Sequence, residues 1–472
     1  MDGLEAVELN LNEVYFDNLS FRIDAEYFKK AYVVESKILI KNKAQKLIDL
    51  SQKIDVGFVG PMVNEYKENG IKLLQTKNVS EFFVNEFDMK FIDEKFNKLL
   101  SKSQIQKHDI LIARSGSFGK ASIYLSDEVI NSSDIIIVEV DANKINPFYV
   151  VAFLNSNLGI NQLLRFASGG LQGHVNLTIL ENLKVPILDV RFQNEIGRII
   201  THGYLKIKQA EAYYVQAEKV LLDELGLDNW HPTQANTEVK SFKNSFLQSG
   251  RLDAEYYQPK YDVLTAKIQH AEHYKLSELV KIKKSIEPGS AAYLENGIPF
   301  IRVANLSKFG LTEPDIHLSI THQHDIENLF PKKETILLSK DGSVGIAYKM
   351  EEDLKAVTSG AILHLAVKSK KVIPDYLTLV LNSVLTQLQA ERDAGGSIIQ
   401  HWRMTEIENI LIPVIEMKKQ EEIAELIKQS FTLKKQSKQL LRTAKLAVEM
   451  AIEEGEEKAM ELINNTLNSH LQ

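Results

Sequence analysis

Two hydrophobic patterns alternate along this chain of 472 residues. The first is the short apolar run stopped by turn formers, which predicts strands. Asp109-Ile110-Leu111-Ile112-Ala113-Arg114 ends at Ser115-Gly116-Ser117, and Asp134-Ile135-Ile136-Ile137-Val138-Glu139-Val140 follows it. Thr335-Ile336-Leu337-Leu338 and Ala361-Ile362-Leu363-His364-Leu365-Ala366-Val367 do the same further on. Pro147 and Pro374 then each open a helix of about a dozen residues, since proline's missing N–H would be unpaired at a helix start anyway. The second pattern steps by three and four, the spacing of a helix seam. It runs through Ile423, Leu426, Ser430, Leu433, Ser437, Leu440, Ala444, Ala447 and Ala451, and through Ile196, Ile199, Gly203, Lys206, Ala210, Tyr213, Ala217 and Val220. One row is small in both, with Gly203, Ala210 and Ala217 against Ser430, Ser437 and Ala444. Small residues let helices approach closely, so helices over 191–225 and 418–452 are expected to pack on each other. The alternative is two separate amphipathic helices, each lying on its own domain.

The whole succession occurs twice, about 227 residues apart. Arg22-Ile23-Asp24-Ala25-Glu26-Tyr27 returns as Arg251-Leu252-Asp253-Ala254-Glu255-Tyr256, and Glu68-Asn69-Gly70-Ile71 as Glu295-Asn296-Gly297-Ile298. Gly116-Ser117-Phe118-Gly119 matches Gly342-Ser343-Val344-Gly345, Asn155-Ser156 matches Asn382-Ser383, and Gly169-Gly170 matches Gly395-Gly396. A unit this long, repeated only twice, is a domain duplication and not a solenoid. The expected fold is α+β: a first domain over 1–188, a long helix over 189–227, a linker over 228–250, a second domain over 251–415 and a C-terminal long helix over 416–472.

Composition then narrows the chemistry. No cysteine is present, which excludes disulfides, a thiol nucleophile and cysteine-ligated metal. With no run of about 18 apolar residues and no charged-then-apolar leader, the chain reads as cytoplasmic, without a membrane partner. The net charge of −7 argues mildly against nucleic acid, but Glu449, Glu453, Glu454, Glu456, Glu457 and Glu461 against Lys458 account for most of it. No phosphate-binding Gly-x-x-x-x-Gly-Lys loop stands anywhere. Asn146-Pro147-Phe148 lacks the second proline of an amino-methyltransferase motif, and His322, His324 and Asp325 have no counterpart in the first copy. No metal, cofactor or catalytic set is expected in this chain.

As a binding module the same loops make sense. Arg114, Ser115, Ser117 and Lys120 surround the first glycine turn, and Lys340, Asp341 and Ser343 the second. The loop after the paired glycines offers His174 and Asn176 in one copy and Gln400, His401 and Arg403 in the other. A third segment offers Gln75, Lys77 and Asn78, then Arg302 and Asn305. These residue types read base edges or hold phosphates, and the glycines agree between copies while the side chains differ.

The Arg-Leu/Ile-Asp-Ala-Glu-Tyr segment, the Asp-Ile-Leu-Ile-Ala-Arg-Ser-Gly-Ser-x-Gly turn, the Gly-Gly pair before a His-containing loop and the Asn-Leu-x-Val-Pro-Ile exit into a Gln-x-x-Ile helix resemble the specificity subunits of type I restriction–modification systems. The resemblance covers almost the whole chain. It implies two target recognition domains, each reading half of a split asymmetric site in double-stranded DNA, held apart by an antiparallel coiled coil. A helix of about 35 residues is about 50 Å long, or about 15 base pairs. It further implies two modification subunits that bring S-adenosylmethionine and methylate adenine, and restriction subunits that cut unmodified DNA, this chain itself being noncatalytic. The other readings are a relative of a fused methyltransferase–restriction protein whose catalytic region lies elsewhere, and a scaffold in a related defence assembly.

Overall fold

The computed structural model describes residues 6–15, 18, 21–86, 88–114, 119–166, 175–228, 230–233, 235, 237–319, 326–395 and 400–470. In the strand Ile110–Ala113 every residue is buried, because its two faces enter two cores. Ile110 and Ile112 join Ile136, Val138, Tyr149 and Phe153, whereas Leu111 and Ala113 join Ile135, Ile137 and Ile130. Side chains alternate across the pleat, so a sheet covered on both sides needs an unbroken apolar run. The counterpart strand Ile336–Ser339 divides likewise, Ile336 and Leu338 entering one cluster and Leu337 the other.

The chain forms two compact units, residues 1–208 with 434–472, and residues 209–433. In unit 1 a five-stranded sheet runs in the order Ser51–Val56, Ile135–Val140, Ile110–Ala113, Ala121–Ile123, Phe82–Phe83, beside a four-stranded sheet centred on Ile71–Leu74 and Ile130–Ser132. In unit 2 the order is Val280–Lys284, Ile362–Val367, Ile336–Ser339, Ala347–Lys349, again beside a second four-stranded sheet. Register agrees: Ile136 faces Ile112 across one strand pair, and Leu365 faces Ile336 across the other.

Most polar residues that recur between the copies hold the backbone. The amide of Asn155 brackets one strand edge, accepting from Ala121 N–H at 3.2 Å and donating to its carbonyl at 2.8 Å; Asn382 does the same to Ala347 at 3.0 and 2.7 Å. Tyr149 and Tyr376 donate to the carbonyls of Pro186 and Pro413. Arg22 grips Asp24 with two nitrogens, as Arg251 grips Asp253, and the guanidinium beside each carboxylate holds its pKa below the usual range. Gly70 and Gly297 stand at φ of 137° and 145°, where a Cβ would come within 2.5 and 2.3 Å of a carbonyl oxygen on the neighbouring strand. Only glycine fits that approach.

The long helices are Val190–Glu224 and Met417–Glu453. Within unit 1, Ser437 Oγ donates to the Gly203 carbonyl at 2.8 Å, and Lys206 Nζ to Gln436 at 2.7 Å. Within unit 2, Ser430 Oγ donates to the Ala210 carbonyl at 2.7 Å, and Lys419 lies 3.4 Å from Glu224. Ile196, Ile199, Ala210, Ala217, Ile423, Ser430 and Ala444 are wholly buried, Leu426 nearly so, and Leu433 is half-buried. Within each unit, then, a serine of the second long helix reaches a backbone carbonyl of the first.

Three expectations change. The helices opened by the prolines are shorter, Pro147–Leu154 and Pro374–Asn382, each followed by a second one, Asn157–Phe166 and Val384–Asp393. The compact units divide within both long helices and not at the linker 228–250. The C-terminal helix over 416–472 is broken at Gly455 (φ 111°), after which Glu456–His470 turns back to bury Ala459, Ile463 and Leu467 in the unit 1 core. Part of the acidic run lies at that helix's start, where Glu456 and Glu457 meet the positive end of its dipole and Glu456 accepts from Asp189 N–H at 2.9 Å.

Replacing Ala217 or Ala444 by Phe should overpack a closed helix contact and cost roughly 1–3 kcal/mol, read as a lower melting temperature; an unchanged value would mean the contact is loose. Burial pushes the Asp109 carboxyl up to about 6, against a hydrogen bond from Gln106 N–H that pulls it down. Because the folded pKa lies above the unfolded one, its contribution is full below pH 4 and lost as pH rises through 6. Asp109→Asn, which keeps the acceptor, should therefore raise the melting temperature at pH 8 and leave it nearly unchanged at pH 4.

Candidate nucleic-acid interface

In both units the strand turn and the loop after the paired glycines are tied by one backbone bond. In unit 2 the Trp402 N–H donates to the Lys340 carbonyl at 2.8 Å; in unit 1 Val175 donates to Arg114 at 3.2 Å. Trp402 and Val175 are buried, so each anchors its loop in the core. In unit 2 a two-stranded ribbon also forms, Asp341–Gly342 against Gln400–His401, with Asp341 opposite His401. The Asp341 carboxylate there collects two basic groups, Lys340 Nζ and His401 Nδ1, the latter at 2.9 Å.

Unit 1 builds its corner around Asp134. Arg114 Nη1 lies 2.9 Å from its carboxylate, and Thr76 Oγ1 donates to its carbonyl at 3.0 Å. Segment 75–78 thus reaches the same corner as the turn. Asp134 stands at φ 55°, a left-handed conformation that aspartate tolerates better than most residues. Sequence reasoning placed Asp134 only at the start of a strand; the one signal for more was an aspartate before a β-branched run.

The predicted residues separate into groups. Lys340, Ser343, Gln400 and His401 come together on the ribbon and its turn, with Arg403 just beyond, its side chain 79% exposed. Arg114, Gln75 and Lys77 lie around the unit 1 corner, Gln75 donating to Tyr66 Oη at 3.2 Å and Lys77 paired with Asp88. Lys120 is exposed. Asn176 caps the helix Leu177–Glu181, accepting from Ile179 N–H at 2.9 Å. Arg302 is tied to Asp315 at 2.9 Å. Asn78 and Asn305 depart from the expectation of a reading residue. Both are buried, and both accept the N–H of the residue three before, Gln75 at 2.9 Å and Arg302 at 3.0 Å. An amide that closes a turn from the inside is not presented to a ligand. Ser115, Ser117 and His174 lie outside the described residues, as do His322, His324 and Asp325. Among the described residues no three His, Asp or Glu side chains are grouped to hold a metal ion.

Two α+β units that share a scaffold and differ in the polar residues of their loops constitute a duplicated domain. The chain belongs to the type I restriction-modification specificity family: the model of the Type I restriction modification DNA specificity domain matches residues 29–212 and again 269–443. It is 25% identical over 370 residues to the type I restriction enzyme MjaVIII specificity subunit of Methanocaldococcus jannaschii, covering 75% of this chain and 80% of that one. It is 23% identical over 270 residues to the EcoBI specificity subunit of Escherichia coli, covering 56% and 53%. A solved S subunit from M. genitalium is 13% identical and covers 87% of this chain and 94% of its own, with a TM-score of 0.39, too low to carry weight.

Asn78→Ala or Asn305→Ala should lower stability by about 1–3 kcal/mol, since each removes a buried amide and leaves a backbone N–H without its acceptor. Arg403→Ala, at an exposed position, should change it by less than about 0.5 kcal/mol. Thermal unfolding of the three variants checks both, and an unaffected Asn78→Ala protein would return that residue to the surface set.

Proposed function

We propose that this chain is the noncatalytic specificity subunit of a type I restriction–modification complex in the cytoplasm, reading a bipartite asymmetric site in double-stranded DNA. Each unit reads one half of the site with its turn and loop residues. Arg114, Lys120, Asn176 and His174 serve one half, and Lys340, Ser343, Gln400, His401 and Arg403 the other. The long helices pack as an antiparallel coiled coil that sets the gap. Two modification subunits dock on the chain and supply S-adenosylmethionine and adenine methylation, and restriction subunits complete the assembly. The observation that carries this reading is the family match in both copies, joined to a scaffold whose recurring residues hold the backbone while its loop side chains diverge. Among the described residues no helix is long and apolar enough to cross a membrane.

Methylome sequencing tests it. Exchanging the loop residues 400–403 should alter only one half of the methylated motif and leave the gap unchanged. A lost base contact should cost about 1–3 kcal/mol at one position. A change in both halves, or in neither, would overturn the assignment.

A further inference from the structure

The two units differ where their asparagine clamps face the long helices. In unit 2 the space around Asn382 is nearly filled, about 10 Å³ remaining, with Phe431 stacked on Tyr348 and Tyr214 edge-on to Phe309. In unit 1 the space around Asn155 opens into a cleft of about 740 Å³. Leu441 stands where the first helix has Tyr214. One wall is the second long helix, which contributes Lys434, Lys438, Arg442 and Lys445. Steps of four, four and three put them on one helical face. The matching positions of the first long helix are Ile207, Glu211, Val215 and Glu218, so the cationic stripe belongs to one copy only. Two carboxylates share the cleft, and both are engaged: Glu81 pairs with Lys445 at 3.0 Å, and Glu449 accepts from Asn157 N–H at 2.6 Å. Lys438 and Arg442 are exposed, and among the described residues neither forms an ion pair.

We infer that this cleft holds the sugar–phosphate backbone of duplex DNA outside the bases that the loops read. The inference rests on the proposed function. Four residues of helix rise about 6 Å, and phosphates of one strand recur every 3.4 Å or so along the axis, so successive cations address about every second phosphate. A chain of net charge −7 repels a polyanion at long range, so its grip on DNA has to come from local cation clusters. Contacts to phosphate add affinity without sequence preference.

The test is the Lys438→Gln, Arg442→Gln double variant, assembled with the modification subunits. Binding is measured on duplexes with and without the recognition site, from 50 to 200 mM salt. The two exposed substitutions should leave the melting temperature unchanged. The log–log salt slope should become shallower by about 2, binding should weaken equally on both duplexes, and the methylated motif should stay the same. A slope equal to that of the native complex would overturn the inference. So would weakening on the site-bearing duplex alone, which would make these residues base readers. Loss of subunit assembly at unchanged slope would show that the cleft takes an acidic protein segment instead, and would equally overturn it. Failure of the native complex to prefer its own site would refute the proposed function first, an outcome separable from all of these.

Discussion

Each unit depends on a helix contact so close that a serine hydroxyl reaches a backbone carbonyl of the facing helix. Ser437 to Gly203 in one unit and Ser430 to Ala210 in the other require residues with almost no side chain at the crossing. The hydrogen bonds themselves contribute about 1 kcal/mol each, but the approach they mark completes the cores. Ile196, Ile199, Leu440, Ala444 and Val448 belong to the same cluster as the sheet of unit 1, and Tyr214, Ala217, Leu221, Ile423 and Leu426 to that of unit 2. Each core therefore closes only when segments more than 200 residues apart in the chain come together.

The duplicated scaffold divides its residues by task. Asn155 and Asn382, Gln193 and Gln420, Tyr149 and Tyr376 recur because each satisfies a backbone group that would otherwise be left unpaired in the interior. Such residues cannot change without loss of stability. Side chains on the exposed turns are under no such restraint: the carboxylate that organises the basic groups is Asp134 at the start of a strand in one unit and Asp341 within the turn in the other. A common frame with interchangeable corners suits the proposed reading of two different half-sites.

Divergence reaches below the loops as well. At the asparagine clamp, aromatic packing closes the space in unit 2, while lysine and arginine line an open cleft in unit 1. Aromatic rings pack where burial is the favourable term; a row of cations stays open to water because burying them without partners costs more than packing returns. The same backbone thus supports a filled core and a charged cleft.

Several features were determined by the sequence alone. The duplication, the strands 110–113 and 135–140, the helix starts at Pro147 and Pro374, the small-residue seam and the family resemblance are all set by local pattern and spacing, which depend on neighbours in the chain. Tertiary structure decided the rest. That Asn78 and Asn305 close turns from within, that Asp134 is the partner of Arg114, that Gly455 sends the last helix back into a core, and that one clamp is open and the other filled all depend on groups distant in sequence. A polar residue in a turn looks alike in sequence whether it faces solvent or the interior, and only the packing around it settles which.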